Sequence, residues 1–436
     1  MERVVDRELS ARIKDYARKD VSAMIGDLGR KPTDEETAEM VSRAVADNGE
    51  AAGLDDDQIE AMSLGMIDDI LHFGPLRPLL EDASVTEICV NSCDKVFAER
   101  NGVMGWERDV VFDDEDHLRR IIDQMAQGVD RRIDDGSPLL DGRMDDGSRF
   151  NAVIAPIVLG GSSLTIRRFP EHRLEAADLV AYGSASPAMM EFLAAATKGR
   201  CSIVVAGGTG GGKTTLLNVL STHIPEHERV ITIEDTAELR FAHDDIVRME
   251  ARPANVEGKG EVTIHDLVVN ALRMRPDRIV VGECRKKEAI EMIRAMTTGH
   301  DGSLTTVHAD DVPTVFHNLA DMILEAVPSY TDEICRRKIA QAIDLVVIVN
   351  RASGGARIVE SVTAVTGMEG GVIQSEPLFR FAQTGIGPDR TPTGVYRGCG
   401  IHAQRIVSKI EAWGVEYDPD WVFDEYVRPE KNGGTL

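Results

Sequence analysis

No stretch of this chain approaches the ~20 consecutive apolar residues that a bilayer-spanning helix needs, so membrane association is expected only through partners. The charged N-terminus has no apolar h-region and does not read as a secretory signal. The six cysteines, at 89, 93, 201, 284, 335 and 399, include no C-x-x-C pair. Such scatter argues against a disulfide frame or a zinc site and for the reduced thiols of a cytosolic protein. Positive charge is also scarce: 49 Lys and Arg against 74 Asp and Glu leave a formal net charge of −25. A surface of that sign repels nucleic acid outside local basic patches, so no direct nucleic-acid partner is expected. Neither an internal repeat nor a low-complexity tract occurs. What is present, over 436 residues with 42% hydrophobic content, suffices for two or three domains with proper cores.

One run organises the rest. Gly207-Gly208-Thr209-Gly210-Gly211-Gly212-Lys213-Thr214-Thr215 fits G-x-x-x-x-G-K-[ST]. The β-branched run Ile203–Ala206 precedes it as a buried parallel strand, and an apolar helical pattern follows. The glycines permit positive φ and turn backbone N–H groups inward as an anion nest. The helix that follows adds its positive end. Lys213 is placed for the β- and γ-phosphates and the Thr214 hydroxyl for Mg²⁺, so the chain is expected to bind ATP with Mg²⁺.

Residues 1 to 70 read as a charged, helical, partly flexible extension without chemistry of its own. From 71 to 170 a smaller α+β (PAS-like) domain is expected. It comprises strands Val85–Asn91 and Lys95–Arg100, an Asn101-Gly102 hairpin signal, a helix Leu118–Gln127, and strands Phe150–Ile157 and Ser163–Arg168. Arg131, Arg132, Arg143, Arg149, Arg167 and Arg168 stud its last third and suggest an anion-facing edge. Residues 171–186 read as a linker. Beyond them, 187–436 alternates strand and helix as a RecA-like α/β domain with a parallel-rich sheet. Its strands are Ile203–Ala206, Val230–Glu234, Ile279–Gly282, Ser303–His308 and Leu345–Val349, followed from Arg357 by a β-rich then turn-rich region and a last helix, Ala403–Trp413.

Open α/β sheets bind ligands at the carboxyl ends of their strands, and three more stretches end strands there. Ile231–Leu239 carries Glu234, Asp235 and Glu238, which suit either a water-positioning acid or a plain helix start. Arg278–Glu283 is an apolar strand ending in an acid, the place of the second nucleotide-contacting carboxylate. His308 ends a strand and suits a γ-phosphate sensor or a structural histidine. Arg252, Arg273 and Arg275 supply cations of the kind that complete a ring ATPase site from a neighbouring subunit, without the sequence saying which.

Together these stretches resemble the CpaF family of secretion ATPases, the motors of tight-adherence (Flp-type) pili, within the type II/type IV secretion traffic ATPase superfamily. The likeness runs from Phe73 to Val422. It rests on Gly207–Thr215, the Asp box Ile233–Leu239, Leu272–Arg278 leading into the Walker B Gly282-Glu283, and the His box Thr298–Ala309. Asp134–Asn151 and Leu164–Phe169 look like its N-terminal-domain signatures. The resemblance implies Glu238 as general base, Glu283 as Walker B acid and His308 near the γ-phosphate. It implies Arg252 and Arg273 as arginines acting in trans, and Arg167 or Arg168 closing over the nucleotide. Gly211 replaces the family's usual Ser, Lys286 a usual Gly, and Asp310 a common Asn.

The function implied is ATP hydrolysis by a cytoplasmic homo-hexamer at the inner face of the cytoplasmic membrane. It would power pilus assembly, or also retraction, through inner-membrane platform proteins. Two rivals stand beside it: the motor of a conjugative or protein-exporting type IV system, and a nucleotide-gated scaffold without turnover.

Overall fold

Helical caps and a modest apolar stripe build the first layer of the chain. The computed structural model describes residues 7–30, 32–100, 102–168, 174–252, 254, 259–388 and 390–429, and contacts divide it into two units, Met1–Glu171 and His172–Leu436. In the first unit α1 (Arg7–Leu28), α2 (Asp34–Ala46) and α3 (Asp56–Leu71) open the chain. Capping boxes at Thr33/Glu36 and Asp55/Gln58 start the second and third helices by satisfying orphan N–H groups reciprocally. Ile13, Ala17, Val21, Val41, Val45, Met62 and Met66 form a shared interior. The expected appendage therefore has a core of its own. Small and flexible side chains (Ala, Val, Met) fill it, and these leave only a weak periodic signal.

After α4 (Arg77–Glu81) comes a fully antiparallel sheet of β1 (Val85–Ser92), β2 (Lys95–Arg100), β3 (Val103–Trp106), β4 (Leu139–Arg143), β5 (Arg149–Val153) and β6 (Ser163–Arg167), in the order β3-β2-β1-β6-β5-β4. Asn101 lies outside the described residues, but Arg100 pairs with Val103 as a hairpin requires. Helix α5 (Glu115–Gly128) lays Leu118, Ile121, Ile122 and Met125 on the sheet's Ile88, Val90, Phe150 and Ile166. Two short strands, β3 and β4, were not legible: one exposes all four residues, the other contains Gly142 opposite Phe150.

The helical layer is pinned to this domain by a partly buried aspartate. Asp69 accepts a hydrogen bond from His117 Nε2 at 2.9 Å and pairs with Arg18 at 3.1 Å. Burial alone would raise its pKa, yet the His117 hydrogen bond and the nearby charges of Lys14 and Arg18 hold it below the ordinary aspartate value.

In the second unit α6 (Ala176–Ala181) falls inside the stretch read as a linker, whose residues 171–173 lie outside the described ones. Then follow α7 (Pro187–Lys198), β7 (Ile203–Ala206), α8 (Lys213–Ser221), β8 (Val230–Glu234), β9 (Ile246–Glu250), α9 (Ile264–Ala271), β10 (Arg278–Cys284), α10 (Glu288–Ala295), β11 (Leu304–Val307), α11 (Val312–Ala326), α12 (Asp332–Ala342) and β12 (Leu345–Arg351). Strands β13 (Arg357–Glu369), β14 (Val372–Ile386), β15 (Pro392–Gly398), helix α13 (Gln404–Ala412) and β16 (Glu425–Val427) complete the chain. The ten strands lie in the order β16-β15-β14-β13-β12-β7-β11-β10-β8-β9. The six from β12 to β9 are parallel, and β13 to β16 continue the sheet as an antiparallel meander.

Parallel strands are covered on both faces, so their sequences read as unbroken apolar runs. On β7, Ile203 and Val205 face the layer of Leu193 (α7) and Leu217 (α8), while Val204 and Ala206 face Ile290 (α10), Leu319 (α11) and Ile339 (α12). Strand β10 begins one residue earlier than its apolar run because the fully buried Arg278 is neutralised by Glu228 and donates to the carbonyls of Gly302 and Thr197. Among the described residues no helix is long and apolar enough to cross a membrane.

Because the folded pKa of Asp69 lies below its unfolded value, the ionised carboxylate stabilises the fold above that unfolded value. The contribution is lost as pH falls through the folded pKa. Asp69→Asn should melt below the parent at pH 7, with the gap narrowed at about pH 2.5, below the ordinary aspartate value of 3.8. Thermal melts at the two pH values check this, and an equal gap at both contradicts it.

Candidate nucleotide site at the carboxyl edge of the sheet

The strand register aligns four carboxyl ends in a row. Ala206 pairs with Val307, Val307 with Cys284, and Val281 with Ile233. The ends of β7, β11, β10 and β8 and the segments that follow them therefore meet on one edge, carrying Gly207–Thr215, His308, Glu283 and Asp235–Glu238.

The glycine loop is built around positive φ at Gly210 (69°) and Gly212 (100°), the latter capping α8 without a side chain. Gly207 and Gly211 are required for another reason. A Cβ on Gly207 would overlap the carbonyl oxygen of Val349 at the end of β12, and one on Gly211 would lie 2.8 Å from it. The serine usual in the resembling family does not fit here without movement of β12, so the departure at position 211 has a steric cause. Lys213 Nζ donates to the carbonyls of Gly207 and Gly208, both at 3.0 Å, which folds its ammonium over the loop. The first N–H groups of α8, at Lys213, Thr214 and Thr215, have no intrahelical acceptor by construction. The loop thus combines a cation, a helix terminus and a concavity that side chains would fill, and it fits a polyphosphate. Mg²⁺ fits too: it keeps waters and takes only one or two protein oxygens beside phosphate oxygens, a role open to Thr214 and Glu283.

Of the three acids after β8, the structure separates the roles. Glu234 is only 3% exposed, and its Oε2 accepts from the N–H groups of Glu238 (2.7 Å) and Leu239 (2.9 Å). It shapes the loop that presents Glu238. That loop is also tied to the P-loop helix: Asn218 Nδ2 donates to the Glu238 carbonyl at 3.3 Å and Asn218 Oδ1 accepts from Arg240 N at 2.8 Å. Asn218 thus links α8 directly to the loop that carries Glu238. Gly282, just before Glu283, packs closely on Glu234: a Cβ there would sit 3.0 Å from Glu234 Cγ. Glu283 Oε2 accepts from Arg285 Nη2 at 2.7 Å, and Asp235 lies 3.8 Å from the same guanidinium. Glu283 first, with Asp235 and Glu238, raises the pKa of Arg285, so one exposed cation is shared by three acids. His308 is exposed at the edge, and its carbonyl accepts from Asn318. Asp310 faces Gly208, with Oδ1 3.5 Å from where a Cβ would stand.

The arginines fall elsewhere. Arg252 lies beyond β9, four strands from β7 or about 19 Å at the usual spacing, and donates to the Gly260 carbonyl. Arg273 stands just before β10, at the opposite, amino edge of the sheet. Neither reaches the P-loop of its own chain. Arg168, in the first unit, donates to the carbonyls of Leu79 and Asp82, while Arg167 is exposed at the end of β6. Within the expected anion-facing edge, Arg131 donates to the Asp141 carbonyl and Arg132 pairs with Asp134. Sequence reasoning missed Glu234 as a loop anchor, Asn218, Arg285, and the Asn350-Arg351 pair that ends β12. The last pair was within reach, since it too closes a strand at the carboxyl edge.

A parallel sheet with a lysine-bearing glycine loop and strand-end acids at one edge defines a P-loop nucleotide-binding α/β protein. More narrowly, the chain belongs to the family described as Type II/IV secretion system protein, which matches residues 70–369. It is 35% identical over 306 residues to a putative conjugal transfer protein of Mycobacterium tuberculosis (strain ATCC 25618 / H37Rv), covering 69% of this chain and 86% of that protein. It is also 35% identical over 308 residues to the type IV secretion system protein VirB11 of Brucella suis, covering 64% and 84%. The solved VirB11 ATPase of Brucella suis, in complex with sulphate, is 32% identical, covers 66% of this chain and 94% of its own, and has a TM-score of 0.36.

Gly211→Ser should cost about 1–3 kcal/mol through crowding against Val349. A lower melting temperature of the full chain reports it, and an unchanged one contradicts the steric reading.

Proposed function

We propose that this chain hydrolyses ATP and couples the reaction to mechanical work in a secretion or pilus machine. The observation that carries the reading is the convergence of Lys213, Glu238 and Glu283 on one sheet edge, with Asn218 linking the P-loop helix to the Glu238 loop. Lys213 exchanges its two carbonyl partners for β- and γ-phosphate oxygens. Thr214 and Glu283 would hold Mg²⁺, which would supply neutralisation of the charge on the phosphates. Glu238 orients a water and takes its proton as the oxygen bonds to the γ-phosphorus. The bond from that phosphorus to the β–γ bridging oxygen then breaks, releasing ADP and phosphate. His308, one strand over, senses whether the γ-phosphate is present.

The placement of Arg252 and Arg273 away from their own P-loop supports their use on a neighbouring subunit, and so a ring, which we propose is a homo-hexamer. Two machines fit this motor. The CpaF-like motifs favour Flp-type pilus assembly through an inner-membrane platform, and the names of the conjugal-transfer and VirB11 relatives favour a type IV secretion system. Neighbouring genes for pilin and prepilin peptidase, against relaxase and coupling protein, decide between them.

Phosphate release by the full chain with Mg-ATP tests the enzyme reading. Lys213→Ala and Glu238→Gln should each fall by about 10²-fold or more. Parent-like turnover by either variant would place the chemistry elsewhere, and no turnover by the parent would favour the scaffold.

A further inference from the structure

The strand order leaves one side of the glycine loop unaccounted for. Strand β7 lies between β11 and β12, and the groups assigned to the reaction from other strand ends (His308, Glu283, Glu238) all stand on the β11 side. If the terminal phosphate faces those acids, the inner phosphates and nucleoside are left toward β12 and the turn into β13. That turn is pressed against the loop. Asn350 Oδ1 accepts from Gly208 N at 3.1 Å, the Val349 carbonyl abuts Gly207 and Gly211, and Arg357 Nε donates to the Gly210 carbonyl at 3.4 Å. Two guanidinium-bearing side chains flank the loop's positive-φ glycines. A Cβ at Gly210 would lie 3.6 Å from Arg351 Nη1, and one at Gly212 would lie 3.6 Å from Arg357 Cγ. Arg351 is exposed and Arg357 half-buried, so the first is placed to meet a ligand and the second to hold backbone.

We propose that the β12–β13 turn is the second wall of the nucleotide pocket. Arg351 gives its guanidinium to the inner phosphates of the bound nucleoside di- or triphosphate. Arg357 is a positioning residue that fixes the loop through the Gly210 carbonyl. The ligand chemistry follows from the partners: a planar fork matches phosphate oxygens in pairs and does not lose its charge. In an acidic chain, two arginines placed beside a phosphate-type loop also offset the repulsion a polyanion meets on approach. This inference rests on the nucleotide reading of the P-loop and separates cis nucleotide affinity from the trans role given to Arg252 and Arg273.

The test titrates full-length parent, Arg351→Ala, Arg351→Lys and Arg357→Lys with a fluorescent N-methylanthraniloyl ADP in Mg²⁺, with melting temperatures measured alongside. Arg351→Ala should weaken ADP about tenfold, the loss expected for a charge-assisted hydrogen bond, and Arg351→Lys by less. Arg357→Lys keeps the charge and loses the fork, so it should weaken ADP several-fold at an unchanged melting temperature. For all three, KM for ATP should rise with kcat held within about threefold, because the acids are untouched; a purely structural role would lower kcat and melting temperature together. ADP affinity of Arg351→Ala and Arg351→Lys within twofold of the parent overturns the proposal while leaving the P-loop reading intact. A parent that binds no ADP overturns both.

Discussion

A carbonyl oxygen sets the shape of the site. The end of β12 brings Val349 O so near the loop after β7 that neither Gly207 nor Gly211 has room for a side chain. The contact exists because β12 pairs in parallel with β7, with Ile348 opposite Ala206, so the two strands end together. The consequence is a loop that must be backbone on its inner surface, and exposed backbone N–H groups are what a phosphate recognises. Sheet pairing, steric exclusion and anion binding are thus one chain of cause.

A second close approach mirrors the first on the opposite side of β7. The buried Glu234 packs tightly beside Gly282 and accepts with one oxygen from two N–H groups of the Glu238 loop. A carboxylate within an apolar sheet would be costly without such partners. Here Glu234 holds the following loop, which presents Glu238, and packs beside the end of β10, which carries Glu283. Asn218 then joins this acid loop to the helix that carries Lys213, and Arg285 bridges its charge to Glu283. The glycine loop and the acid loop are therefore joined by side-chain hydrogen bonds and not by the main chain alone.

How much of this is legible in the sequence follows from which interactions leave a pattern. Strands β7 and β8 match their apolar runs to the residue because both faces are covered. The P-loop is legible because its chemistry demands fixed residues at fixed spacing. The interior of α1–α3 is not, since alanine, valine and methionine in a charged background give little contrast. Strand β9 and helix α12 are missed for a related reason: Ile246–Glu250 is short and mixed, and Asp332–Ala342 is dominated by charge. Which of several neighbouring acids turns inward leaves no trace in the sequence, so Glu234 reads as one of three equivalent acids until the structure shows it buried and anchoring the Glu238 loop.

The claim on which the rest depends is that the carboxyl edge of the second unit is a Mg²⁺-dependent triphosphate site. Calorimetric titration of the full chain with a non-hydrolysable ATP analogue, with and without Mg²⁺, measures this directly. One analogue bound per chain, with affinity falling at least tenfold when Mg²⁺ is withheld, is the result this structure predicts. No binding, or binding indifferent to Mg²⁺, would contradict it.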